Sequence, residues 1–212
     1  MQSGGSLGAS GSVVARKIPR KKAPLSWRLR NALRWGFIKG WIAKHFIAPF
    51  ANAWGVATIL GELDIVLVRA SGERIYYGTV GYRVVTNAGV TFLRDDWNNN
   101  AQDFTTYNYH GCGTGTTAEA AGDTALVTES TTALNPDSTR ATGTRTTPAS
   151  NQFASAGTAT FDASAAITEH GLFSQAATGG GSLWDRTVFS AINVASGDSI
   201  VFTYTGTLTA GG

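Results

Sequence analysis

The chain has 212 residues, enough for one core domain with an extension or for two small domains, and only 15% of them are charged. That low fraction, with abundant glycine, threonine and alanine, is unusual for a free cytosolic enzyme and common in β-rich assembly proteins whose surfaces pack against neighbours. A single cysteine, Cys112, excludes an intrachain disulfide and any thiolate metal cage built from one chain.

The net charge of +3 conceals a polarity. Ten lysines and arginines occupy residues 1–50 before the first acid, Glu62, whereas residues 51–212 carry seven arginines against fourteen acids. A basic arm is joined to an acidic body, a distribution suited to an arm that reaches onto an acidic partner or onto the body of a neighbouring copy.

Residues 1–12 are a Gly/Ser leader without the apolar core of a secretory signal. Arg16, Lys17, Arg20, Lys21 and Lys22 form a basic cluster that Pro19 and Pro24 keep extended. Ser26 is placed to cap a helix over residues 27–48 that Pro49 ends, about 33 Å long at ~1.5 Å per residue. Its apolar residues lie almost all the way round, and Trp27, Trp35, Trp41 and Trp54 give it a heavy aromatic load. Such a segment needs a cover of protein or lipid. Arg34, Lys39 and Lys44 interrupt every apolar run long enough to cross a bilayer, so no membrane span is expected.

From Val56 the pattern turns to strands. Residues 63–69 and 74–80 flank a hairpin turn at Ala70–Glu73, and residues 82–86 and 90–94 flank a second at Asn87–Gly89. Residues 95–103 read as an asparagine-rich loop. Further strands are expected at 104–109, 124–128, 139–146, 157–162, 167–173, 183–192 and 199–205. In the last of these Ile200, Phe202 and Tyr204 share one face and Val201, Thr203 and Thr205 the other. Short strands with frequent turns predict a mainly β fold: an antiparallel β-sandwich or jelly-roll-like body (61–212), preceded by the basic N-terminal arm with one aromatic-rich helix (1–60). The alternation also predicts that the body folds without the arm.

The chemical motifs are weak. GCGTGTT (111–117) lacks the lysine and following helix of a phosphate-binding loop. Asp95, Asp96, Asp103, His110 and Cys112 match neither calcium nor zinc ligand spacing, so no metal and no cofactor is expected. His45, His110 and His170 have no nucleophile motif beside them, and the chain reads as a non-enzyme. Glu169 is expected on the face of Ile167 and Phe173, forming a structural ion pair with Arg186 of the neighbouring strand.

The segments GTGTTA (113–118), GDTALVTE (122–129), ITEHGLF (167–173), LWDRTVFSAINV (183–194) and SGDSIVFTYT (196–205), in that order, resemble small virion proteins of tailed bacteriophages. These are described as capsid decoration or cement, head-fibre or tail-fibre-like proteins. The resemblance runs roughly from Glu73 to the C-terminus. It implies a virion location, a major capsid protein or other virion protein as partner, and self-association, for example as a trimer. On that reading Arg16, Lys17, Arg20, Lys21, Lys22, Trp27, Trp35, Trp41 and Trp54 anchor the chain to a shell, with aromatic rings in pockets and cations on an acidic surface. A fibre component, a host-glycan-binding module and an arm that touches packaged nucleic acid are the alternatives.

Overall fold

The computed structural model describes residues 20–99 and 103–211. Nine strands form: β1 (Lys21–Lys22), β2 (Thr58–Val68), β3 (Arg74–Val85), β4 (Tyr109–Gly113), β5 (Ala141–Thr146), β6 (Gln152–Thr160), β7 (Ala165–Phe173), β8 (Leu183–Val194) and β9 (Ser199–Thr209). Helices are α1 (Leu25–Ala32), α2 (Trp35–Ile42), α3 (Ala48–Ala53) and α4 (Asn87–Asn99).

Strands pair in the order β3-β2-β9-β6-β5-β4-β7-β8, all antiparallel, and β8 returns to β3 through Val84↔Arg186 and Val85↔Asp185. The body is therefore a closed eight-stranded barrel, which overturns the expected β-sandwich or jelly roll. The cause lies in β3. Register shifts between Leu63 and Asp64 and between Ile65 and Val66 bulge the β2–β3 ladder, with Gly78 of β3 at φ 67°. Bulges increase local twist, so the second half of the long β3 swings onto β8 and closes the edge. Short strands with frequent turns are common to sandwiches and barrels, and the pattern alone does not separate them.

Alternation fills the barrel. Leu63, Ile65 and Leu67 of β2, Phe189 and Ile192 of β8, and Ile200 and Phe202 of β9 are fully buried in one cluster. Gly157 of β6 is needed for fit, since a Cβ there would lie 2.6 Å from the His110 ring.

The single helix expected over 27–48 is instead several pieces. α1 begins at Leu25 after Pro24, without a side-chain cap from Ser26, and the chain bends before Trp35. Pro49 does not end the helix. A π-helical turn, Ala43–Ile47, precedes α3 and accommodates the proline in its first turn. Asn87–Gly89 is not a hairpin turn but the start of α4. Thr86 Oγ1 caps that helix, accepting from Gly89 N at 3.0 Å, and the helix takes in the expected strand over 90–94 and the residues 95–99 of the loop expected over 95–103. Residues 124–128 form no strand. That segment lies over β4 and β7, with an isolated bridge at Gly113↔Glu129.

Candidate functional site

The arm residues divide into those that build the barrel wall and those that face outward. Arg16 and Lys17 lie outside the described residues. Lys21 and Lys22 run parallel to Ile75 and Tyr76 of β3, Lys21 Nζ donates to Glu73 at 2.7 Å, and the Arg20 guanidinium lies 5.3 Å from the Tyr76 ring centroid. The Arg20 and Lys21 side chains are thus engaged with the chain's own body, and Lys22 through its backbone.

α1 lies across the stretch where β3 and β8 have parted. Trp27 is only 6% exposed. Its Nε1 donates to the carbonyls of Ser190 at 3.1 Å and Ala191 at 2.9 Å, and its ring meets Tyr77 edge-on at 4.6 Å. Asn31 Nδ2 donates to Val80 O at 2.7 Å on β3, while Asn31 Oδ1 accepts from Ser190 N at 2.9 Å on β8. One side-chain amide thus bridges the two strands beyond the point where their ladder ends. Trp27 is therefore tied to its own barrel wall, and Asn31, which the sequence reading passed over, does as much of the tying.

α2 lies against β3, with Phe37 and Tyr82 edge-on at 5.4 Å and Lys44 Nζ bonded to both Glu62 oxygens at 2.7 Å. Gly40 permits this approach, because a Cβ there would sit 2.2 Å from Tyr82. The other side of the arm is apolar and uncovered. Leu29, Leu33, Phe46, Ile47 and Phe50 are exposed, together with Trp35 at 67% and Trp54 at 75%. Trp41 is also exposed and stacks on His45 at 4.7 Å. Soluble proteins rarely leave so many large apolar groups together in water. Among the described residues no helix is long and apolar enough to cross a membrane.

A second ensemble lies inside the barrel. Arg83 and Asp185 form a fully buried ion pair, and Arg83 Nη2 also donates to Asp185 O at 3.0 Å. Burial raises Asp185 to about 6, against the pull of Arg83. Arg83 Nη1 donates to His170 Nδ1 at 2.6 Å, His170 Nε2 lies 3.0 Å from His110 Nδ1, and His110 Nε2 lies 2.9 Å from Ser155 Oγ. Burial first, then the Arg83 charge, lowers His110 to about 3 and His170 well below its usual value, so both rings are neutral. A guanidinium only donates. Hence His170 carries its proton on Nε2 and donates to His110, which carries its own on Nε2 and donates to Ser155. The Ser155 hydroxyl donates onward to Asn108 Oδ1 at 2.9 Å. With its Nε2 lone pair committed to a proton, His110 is no base for Ser155, and the pair is not a nucleophile–base dyad.

The third ensemble is on the outside. Arg186 Nε and Nη2 donate to Glu169 Oε2 at 2.9 and 2.8 Å, and Arg186 Nη1 donates to Asp123 at 2.9 Å. Glu169 accepts from the amides of Gly115, Val127 and Thr128 at 3.0, 3.1 and 2.8 Å. Glu169 does not share a face with Ile167 as alternation predicted. A register shift between the two turns Ile167 into the core and Glu169 under the 113–129 segment. Nearby, Arg140 donates to both Glu129 oxygens at 2.6 and 3.0 Å and lies over the Phe173 ring at 3.5 Å. The sequence reading missed that pair, because Arg140 stands in a Thr/Ala tract without periodicity.

His110 and Cys112 belong to the barrel, whereas Asp95 and Asp96 belong to α4. Among the described residues no three His, Cys, Asp or Glu side chains converge to hold a metal ion. No family model matches the chain, and no curated protein and no solved structure matches it either.

Proposed function

We propose that this chain is a structural protein of a virion that decorates or cements a shell, held there by the outward face of α1–α3. The observation that carries the reading is the uncovered apolar surface from Leu29 to Trp54 on an otherwise closed, well-packed barrel. Pairing of β3 with β8, with α1 and β1 covering the rest of that seam, leaves little free sheet edge through which to join other chains, and the helical face is the surface in need of a cover. The motif order from 113 to 205, which resembles phage virion proteins, supports the same assignment. The aromatic anchor set is narrower than the sequence implied: Trp35, Trp41 and Trp54 serve it, joined by Leu33, Phe46 and Phe50, while Trp27 serves the fold and Lys21 pairs with Glu73.

The test is retention on particles. Burial of large aromatic side chains, ~150–250 Å² each at ~25 cal/mol per Å², does not fade at ~0.5 M salt, where exposed charge pairs are screened. Wild-type protein stays on washed particles, at an occupancy comparable to the shell subunit. Trp35→Ala with Trp54→Ala comes off. Release of wild type by salt alone overturns the apolar anchor in favour of a nucleic-acid arm, and occupancy of only a few copies per particle makes the protein a fibre component.

A further inference from the structure

We infer that the barrel has a second binding site, at its mouth beneath α4, for a small apolar molecule that carries one anionic head group. The inference stands independently of the virion assignment. A cavity of about 470 Å³ opens at the barrel end formed by the last residues of β5, β7 and β9 and the first residues of β2, β6 and β8. That volume lies within the range of small-molecule sites, which favour the mouths of β-barrels.

Its walls are rings. Phe104 meets Trp184 edge-on at 4.6 Å and Phe153 at 5.8 Å, and Phe153 meets Tyr204 at 5.8 Å. Trp184 Nε1 donates to Tyr204 Oη at 2.9 Å, so the two largest walls present carbon faces and keep their polar atoms for each other. The polar side chains that remain are Tyr107, three threonines (Thr105, Thr146 and Thr147), Ser155 and Arg145. Ser155 lies at the base, its hydroxyl held by His110 and Asn108. Arg145 lies at the rim, where Nη1 donates to Thr105 O at 2.6 Å and pins the guanidinium across the opening. None of the lining residues is acidic. An apolar body therefore fits the walls, and a carboxylate or similar anion fits the one charge at the opening. A cation would find no acid to pair with.

Decanoate, with decanol and decyltrimethylammonium as its neutral and cationic counterparts, tests this on the full-length protein by calorimetry and by nuclear magnetic resonance. Decanoate is expected to bind more tightly than the other two and to shift the Trp184 indole N–H resonance while leaving that of Trp54 in place. Ile59→Trp and Leu208→Trp, both at partly exposed lining positions, should abolish binding. Arg145→Gln should weaken decanoate about tenfold and leave decanol unchanged. Should either blocking variant fail to fold, the indole shift in the wild-type protein still decides. Absence of decanoate binding at millimolar concentration overturns the site. So does binding that moves Trp54 rather than Trp184, or that is lost in Trp35→Ala with Trp54→Ala, since it then belongs to the helical face. Equal loss of decanoate and decanol in Arg145→Gln overturns the head-group assignment.

Discussion

Arg83 Nη1 and His170 Nδ1 lie 2.6 Å apart inside the barrel, and this one contact sets the direction of every hydrogen bond from Arg83 to Asn108. The guanidinium cannot accept, so each partner in turn must accept on one side and donate on the other. Both histidines should therefore show the Nε2–H tautomer in long-range ¹⁵N correlation spectra. An Nδ1–H signal from either ring contradicts the chain as described. Ser155→Ala strands the His110 donor and should cost about 1–3 kcal/mol in urea unfolding.

The same rings make the fold sensitive to acid. An unfolded histidine titrates near ~6.5, whereas His110 in the barrel falls to about 3 and His170 is also strongly lowered. Below pH ~6.5 the unfolded chain binds two protons that the native rings refuse, so stability falls as pH falls. Asp185 acts in the opposite sense. Raised to about 6, it binds a proton in the native state that the unfolded chain takes up only near pH ~4. Two histidines against one aspartate leave a net uptake of about one proton on unfolding between roughly pH 6 and 4, so this cluster loses stability, on the order of 1 kcal/mol per pH unit, as the pH falls through that window. His110→Gln should flatten that slope in denaturant titrations across the window. An unchanged slope removes His110 from the account.

Glu169 and Arg186 staple the 113–129 segment to the barrel. Glu169→Leu leaves a buried guanidinium with only the part-exposed Asp123 and the Thr117 carbonyl, and three amides with no carboxylate to accept from them. A loss of about 3–5 kcal/mol is expected. Hydrogen exchange at Gly115, Val127 and Thr128 should accelerate beyond the change in global stability. Exchange that rises uniformly across the chain would assign the residue to general packing instead.

The arm separates by residue. Trp27→Ala should cost about 3–5 kcal/mol, because it removes a core ring. Asn31→Ala should cost about 1–3 kcal/mol by opening the gap between β3 and β8. Trp35→Ala should leave the thermal midpoint of the isolated protein nearly unchanged, as its ring is mostly in water. By the same reasoning, a chain lacking residues 1–54 should fold poorly, against the expectation that the body stands alone. A fully stable truncated barrel would show that α1 only leans on the wall.

Much of the strand content was legible, because β2, β7, β8 and β9 carry long alternating or apolar runs bounded by turn residues. α4 was not, since Asn87-Ala88-Gly89 has the composition of a turn. Only the Thr86 side chain, reaching both Gly89 N and Leu183 O, makes that stretch a helix start. The histidines looked unconnected because their partners are remote: His110, Ser155 and His170 come from three strands, and Arg83 from a fourth.

The sequence by itself determined a mainly β body, a basic aromatic arm and the adjacency of Glu169 to Arg186, because periodicity and composition act over a few residues at a time. The segments 113–118, 122–129, 167–173 and 183–194 supply much of the outer staple: Gly115 and Thr117, Asp123 and Thr128, Glu169, and Arg186. Tertiary structure alone decided barrel against sandwich, and the inward turn of Trp27 against the outward turn of Trp35. The physical reason is the same in each case. Closure depends on two bulges that change strand twist and on a split between β3 and β8 that a helix must fill, and neither has a periodic signature along the chain.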